Sequence, residues 1–96
     1  MILHTLNAAP STTSFTACLE MAGEGDAILL FGDGVYGAMA GSEACERLAE
    51  SGAELYLLRS DAEAAGLSDR IGAGNLVGVD EFVALTERYQ RQLAWY

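Results

Sequence analysis

The sequence predicts an α/β fold, a single three-layer α/β/α domain with a small, largely parallel sheet. Apolar strand-like runs alternate with helix-like stretches at spacings that leave room for strand–helix–strand crossovers. The 96 residues are 51% hydrophobic, enough for one core, and no repeat or linker divides residues 1–96 into more than one domain. The four predicted strands are Ile2–Leu6, Ala27–Phe31, Ala53–Leu58 and Asn75–Val79.

The first helix is predicted over residues 12–24, with a possible cap at Ser11 beside the single proline, Pro10. Its apolar side chains recur at the spacing of a stripe that faces the core. This stripe places Cys18 on or beside the buried face. The stripe consists of Phe15, Cys18, Leu19 and Ala22.

Three more helices are predicted. The second spans residues 35–50, is rich in alanine and glycine, and places Cys45 beside Leu48 as a core cysteine. A short third helix is predicted over residues 61–65. The fourth begins at a capping Asp80, and its inner stripe is predicted to consist of Phe82, Leu85, Tyr89 and Leu93.

The charge balance excludes one class of function. Fourteen acidic residues oppose five arginines, there is no lysine, and the net charge is −9. Binding to a phosphate backbone requires clustered cations, and the nearest approach to a cluster, Arg88 and Arg91, also contains Glu87. We therefore expect no direct contact with nucleic acid.

Other classes are disfavoured by what the sequence lacks. No apolar run approaches the ~20 residues of a membrane span, and the first residues do not resemble a secretion signal, so we expect a soluble, cytoplasmic protein without membrane contact. Cys18 and Cys45 lie far apart and His4 is the single histidine, which predicts free thiols and no metal site. His4 alternates with apolar neighbours and is predicted to be a core residue with its hydrogen bonds made, the alternative being a group that orients a neighbour at a cleft.

The segment Gly32–Gly37 formally matches the glycine-rich turn that binds dinucleotides between a strand and a helix. Asp33 lies inside this turn, no lysine or arginine precedes Arg47, and the turn follows the second strand rather than the first. The favoured interpretation is a tight strand-to-helix connection. The alternative is a small nucleotide-binding protein that uses this turn.

The chain ends with two large aromatic residues, Trp95 and Tyr96, at a position that would ordinarily fray in solvent. Either they fold back onto their own domain or they anchor a subunit interface, where aromatic residues often dominate binding. Together with Tyr36 of the glycine turn, they are the candidate interface residues.

Taken in order, these segments resemble the TusB/DsrH family of small subunits from bacterial sulfur-relay complexes. The resemblance covers nearly the whole chain; no single motif is specific, but their order and spacing are. It is carried by Met1–Asn7, Cys18-Leu19, Glu24–Leu30, Asp33–Tyr36, Ala65–Arg70, Val79–Val83 and Gln92–Trp95.

The resemblance implies a DsrE-like domain without a cofactor. It also implies a heterohexamer with TusC/DsrF-like and TusD/DsrE-like subunits, which passes persulfide sulfur from an upstream carrier protein towards 2-thiouridine at the tRNA wobble position. The alternative within the family is a DsrEFH complex for dissimilatory sulfur oxidation. The chain is then an assembly subunit without turnover of its own.

Cys18 matches the first-helix cysteine of DsrH proteins and is the candidate persulfide carrier. The family assigns its principal persulfide cysteine to the TusD/DsrE-type subunit, however, and some TusB members lack a cysteine here. Cys18 lies in mid-helix near Glu20, without a cation within four residues to favour the thiolate. The alternative is a packed thiol near an interface.

Overall fold

A computed structural model describes all 96 residues of the chain. Five strands, four α-helices and one 3₁₀ helix alternate along it. The strands are β1 (Ile2–Leu6), β2 (Ala27–Leu30), β3 (Glu54–Leu58), β4 (Asn75–Val77) and β5 (Arg91–Trp95). The helices are α1 (Thr13–Met21), the 3₁₀ helix (Gly32–Ala38), α2 (Glu43–Glu50), α3 (Arg59–Ala64) and α4 (Val79–Arg88).

All five strands form one parallel sheet in the order β4-β3-β2-β1-β5. The chain first moves across the sheet from β1 to β4, and α4 then carries it back to the opposite edge. Because crossovers between parallel strands are right-handed, a reversal of direction moves the connecting helix to the other face. The earlier helices therefore cover one face, α4 covers the other, and the predicted three-layer α/β fold is confirmed.

The face beneath the first helices, here called the closed face, carries the larger core. Its cluster contains twelve buried residues, among them Phe15, Leu30, Leu48 and Leu57. The face beneath α4, here called the open face, carries a cluster of six, including Leu29 and Leu85. The core is consequently concentrated on one side of the sheet.

The predicted second helix is wrong in one respect, since two elements replace it. The 3₁₀ helix ends at Ala38 and Met39 is extended, so that Met39 forms an antiparallel bridge with Ile71. A new helix then begins after Ser42, whose hydroxyl accepts a hydrogen bond from the Cys45 N–H. Gly41, with a φ of +83°, provides the left-handed turn between the two.

The end of the chain also differs from the prediction. The fourth helix ends at Arg88, and residues 91–95 form an edge strand, so that Leu93 lies opposite His4 on β1 instead of on a helical stripe. This strand satisfies the backbone groups along the edge of β1, which a continuing helix would leave open.

The helix caps differ from prediction in detail. Thr12, rather than Ser11, accepts a hydrogen bond from the Phe15 N–H and caps α1. Gly78, rather than Asp80, precedes α4, and its N–H donates to the Glu81 carboxylate. No helix in the structure is of a length and apolarity that would span a bilayer.

Candidate functional site

Cys18, the predicted persulfide carrier, lies on α1 with no solvent exposure, within the cluster of the closed face. Burial raises the pKa of its thiol to about 12. The thiolate is the nucleophile in sulfur chemistry, and a thiol in this environment stays protonated at neutral pH. In this arrangement Cys18 has the properties of a small packed side chain.

Cys45 is also free and buried, on α2. A side chain at Gly72 would approach its sulfur to 2.8 Å, so the glycine allows the loop after α3 to pack tightly over Cys45. The core position expected for Cys45 is confirmed. Neither thiol is accessible to a protein partner in this conformation.

Close packing requires glycine at two positions of the glycine turn. A side chain at Gly34 would overlap the backbone carbonyl oxygen of Leu6, and one at Gly37 would lie 2.6 Å from the Phe15 ring. Both glycines lie in the 3₁₀ helix and are buried. They let this helix approach the end of β1 and the first helix, which agrees with the interpretation of the turn as a tight connection.

The N–H group that begins the turn already has an anionic partner. The Gly32 N–H donates to the Asp61 carboxylate over 2.7 Å. Asp33, Asp61 and Tyr36 line a shallow depression of about 210 Å³ at this point. Two carboxylates at the mouth repel a phosphate group, so the geometry disfavours the nucleotide alternative.

The two terminal aromatic residues behave differently from each other. Trp95 is partly buried against the closed-face cluster, and its indole N–H donates to Nδ1 of His4 over 3.1 Å. Tyr96 is 80% exposed, and Tyr36 is 42% exposed. Trp95 therefore folds back onto its own domain, whereas Tyr36 and Tyr96 remain available to a partner.

His4 is completely buried, and both of its ring nitrogens are engaged. Nε2 lies 3.0 Å from the Asp26 carboxylate, which also accepts hydrogen bonds from the Ile2 and Gly23 N–H groups. Burial raises the pKa of Asp26, but the hydrogen bonds from His4 and these two backbone groups outweigh it and leave the pKa below its ordinary value. The expectation of a satisfied core histidine is confirmed.

Sequence reasoning missed the parts played by Asp26 and Asp61. Both carboxylates bind N–H groups that lie far away in the sequence, so neither periodicity nor a local motif indicates them. The available signal was the topology of a parallel sheet, since residues just outside neighbouring strands meet at the same edge.

The largest depression, about 510 Å³, lies on the open side and is lined in part by Met1, Glu54, Arg88 and Arg91. The Arg88 guanidinium donates a hydrogen bond to the Tyr56 hydroxyl over 3.3 Å, and this hydroxyl donates to the Glu54 carboxylate over 2.6 Å. These groups satisfy one another, and the depression contains no cysteine or histidine. No group of three or more potential metal ligands is present in the chain.

Comparison with known proteins gives consistent results over the whole chain. The family model described as DsrH like protein matches residues 8–92. A protein TusB from Pectobacterium parmentieri is 41% identical over 95 residues, covering 98% of this chain and 100% of the relative. Proteins TusB from Escherichia coli O81 and Salmonella arizonae are 38% and 42% identical over 96 residues, with the same coverage.

Solved structures share the fold at lower identity. The ychN protein from E. coli has a TM-score of 0.76 at 15% identity, covering 98% of this chain and 97% of its own. Protein Tm0979 from Thermotoga maritima has a TM-score of 0.70 at 22% identity, covering 92% and 93%. These two likenesses establish the fold, and the full-length similarities establish the relationship: the chain belongs to the DsrH-like family, whose relatives here include the TusB proteins.

Proposed function

We propose that this chain is a non-autonomous subunit of a sulfur-relay complex, acting by assembly. The observation that carries the proposal is the similarity to TusB proteins over 98% of the chain, together with the match to the DsrH-like family. The partners proposed are TusC/DsrF-like and TusD/DsrE-like subunits, two copies of each subunit forming a heterohexamer. Upstream and downstream sulfur-carrier proteins act through this complex.

An assembly role is supported by the distribution of accessible groups. Both thiols and the imidazole are buried, so the chain offers no exposed thiol to accept sulfur. Several large apolar side chains are exposed instead, including Tyr36, Val79, Val83 and Tyr96. Exposed apolar groups of this size suit contact with another subunit.

For Cys18 we propose the structural role. Accepting sulfur requires a thiolate that a donor persulfide can reach, and Cys18 is buried with a raised pKa. A carrier role would require α1 to open or a partner to rearrange it. The mass of the intact chain distinguishes the carrier role from the structural role, because a carried sulfur atom adds to the mass of Cys18.

The proposed destination of the sulfur is 2-thiouridine at the tRNA wobble position. A subunit with net charge −9 has no basic surface for tRNA, which fits a relay whose downstream enzyme binds the RNA. Dissimilatory sulfur oxidation is the alternative destination for the same kind of complex, and the identity of the partners decides between them.

The test is a pull-down of the tagged full-length chain from its native cytoplasm at low salt, followed by native and non-reducing intact mass spectrometry. Recovery with two other small DsrE-like subunits supports the assembly. Loss of thiolated tRNA on deletion of the chain, restored by a Cys18→Ser variant, supports both the tRNA destination and the structural role of Cys18.

Three results count against parts of the proposal. Recovery of the chain alone contradicts the assembly role. An adduct of about 32 Da on Cys18, one sulfur atom, contradicts a purely structural cysteine. Unchanged tRNA thiolation in the deletion strain contradicts the tRNA destination.

A further inference from the structure

His4 joins three separate parts of the chain through its side chain. The imidazole belongs to β1, Asp26 precedes β2, and Trp95 ends β5. The indole N–H of Trp95 donates to Nδ1, and Nε2 contacts the Asp26 carboxylate, at 3.1 and 3.0 Å. Because the imidazole has no solvent exposure, water cannot replace a lost partner without local opening.

These contacts require one protonation state of the ring. An indole N–H can only donate, so Nδ1 must carry a lone pair. The proton of a neutral imidazole then resides on Nε2, where it is donated to Asp26. When both hydrogen bonds are present, His4 is therefore neutral and in its Nε2–H form.

We propose that His4 is a proton-sensitive latch for the C-terminal strand. When a proton from water binds the Nδ1 lone pair, two N–H groups face each other and the hydrogen bond from Trp95 is lost. The Nε2–H bond to Asp26 is kept, and it becomes an ion pair. No covalent bond other than N–H forms, and the proposal goes beyond the relay role.

The surroundings of the ring leave Asp26 as its charged partner. The register partners of His4 on the adjacent strands are Ile28 and Leu93, which do not titrate. From α1, the buried titratable group is Cys18, a neutral thiol whose pKa is raised to about 12. The other charged groups on or next to these elements are exposed: the Met1 amino group, Glu20, Glu24 and Arg91.

Release of Trp95 changes the surface that β5 presents. Leu93 and Tyr96, the neighbours of Trp95 along the C-terminal segment, are exposed large apolar side chains. The backbone bond from the Asn7 N–H to the Trp95 carbonyl, 3.2 Å, is the last one that ties this end to the sheet. Protonation of His4 thereby loosens a segment that carries candidate partner contacts.

The full-length chain suits a direct test, because it contains one histidine and one tryptophan. Nitrogen-15 NMR of the imidazole identifies the protonated nitrogen, and exchange of the indole N–H reports its hydrogen bond. Both are followed from about pH 8 to about pH 5, the range in which histidines generally change charge. We expect the Nε2–H form at the upper end. As Nδ1 gains a proton, the indole protection factor should fall about fivefold or more, the loss expected for one hydrogen bond.

Two matched variants separate the two contacts. In His4→Asn, the side-chain oxygen replaces the Nδ1 acceptor and cannot be protonated, so the indole should stay protected across the titration. In His4→Gln, the terminal amide reaches towards Asp26 and leaves the indole without its acceptor, so protection should be low throughout. Far-ultraviolet circular dichroism verifies that each variant is folded.

The wild-type measurement alone can overturn the proposal, even if both variants fail to fold. An Nδ1–H form at about pH 8 contradicts the assigned network. Indole protection that is unchanged while Nδ1 gains its proton contradicts the latch, as does unfolding of the whole chain before Nδ1 is protonated. A His4→Asn variant that loses indole protection like the wild type also contradicts it.

Discussion

The two faces of the sheet are covered very differently. On the closed face, α1, the 3₁₀ helix and α2 contribute to a cluster of twelve buried residues that includes Cys18. On the open face, α4 alone packs on a cluster of six, and Val79 and Val83 remain 66% and 47% exposed. The first face buries more apolar side chains, and the helix over the second keeps apolar side chains exposed.

The difference follows from strand order. Three successive crossovers move in one direction and place their helices on one face, whereas the single return from β4 to β5 places α4 on the other. One helix of ten residues cannot cover five strands. A domain with this topology therefore leaves part of one sheet face without a helix over it, while its two thiols and its imidazole lie buried on the opposite side.

The largest expected contrast comes from truncating one phenylalanine on each face. Phe15 is completely buried on the closed face, and Phe15→Ala should reduce the free energy of unfolding by about 3–5 kcal/mol. Phe82 is only partly buried, against Phe31, and Phe82→Ala should cost about half as much or less. Urea unfolding of both variants measures the contrast, and equal losses would break the distinction between the faces.

A second contrast concerns the glycines. Gly34→Ala forces a methyl group into the Leu6 carbonyl and should destabilise the chain by about 1–3 kcal/mol, because backbone cannot move aside easily. A methyl group at Gly23 would meet no atom within 4 Å, and the φ of Gly23 is not left-handed, so Gly23→Ala is the matched control. Thermal unfolding compares them. A Gly34→Ala chain as stable as the control would remove the packing explanation of the turn.

The sequence predicted most of the closed face, because its helices repeat their apolar residues at the helical period. Phe15 and Cys18 on α1 and Leu48 on α2 lie where that period places them. The break between the 3₁₀ helix and α2 was missed. The alanines of this segment favour a helix, but the left-handed Gly41 and the capping Ser42 divide it, and further contacts at the break come from the distant loop at Arg70–Gly72.

The sequence was less informative about β5 and the histidine network. Four of the five residues of β5 are exposed, so the strand has little apolar periodicity, and its pairing with β1 spans almost the whole chain. Asp26 and Trp95 meet His4 only once that pairing is made. The candidate residue Cys18 could be named from the sequence, but its complete burial depends on tertiary packing.

The burial of Cys18 gives the closed face a pH dependence of its own. The pKa of this thiol rises from 9.0 to about 12 on folding, so the unfolded chain loses the proton first as pH rises. Its stabilising contribution is complete below about pH 9 and declines up to about pH 12. Between about pH 8 and pH 10 the wild type should lose about 1 kcal/mol more than Cys18→Ala, measured by urea unfolding. Parallel losses in both chains would show that the thiol is not buried in solution.

The smallest expected effect on stability tests the open face. Val83 lies 47% exposed on α4, so Val83→Ser should change the free energy of unfolding of the isolated chain by no more than about 0.5 kcal/mol. If the open face is covered in the assembled complex, the same substitution should weaken recovery of the partner subunits, because it removes apolar area from the contact.

Glu87→Gln, also exposed on α4, is the control for a change of surface chemistry without loss of apolar area. Quantitative pull-down with each variant compares the yields. If Val83→Ser retains full yield while a change at Tyr36 or Tyr96 reduces it, the partner contacts the 3₁₀ helix or the residue after β5. The exposed side of α4 is then in contact with solvent. Loss of yield with Val83→Ser alone would instead place the partner contact on α4. The strand order would then account both for the burial of the thiols on one face and for partner contact on the other.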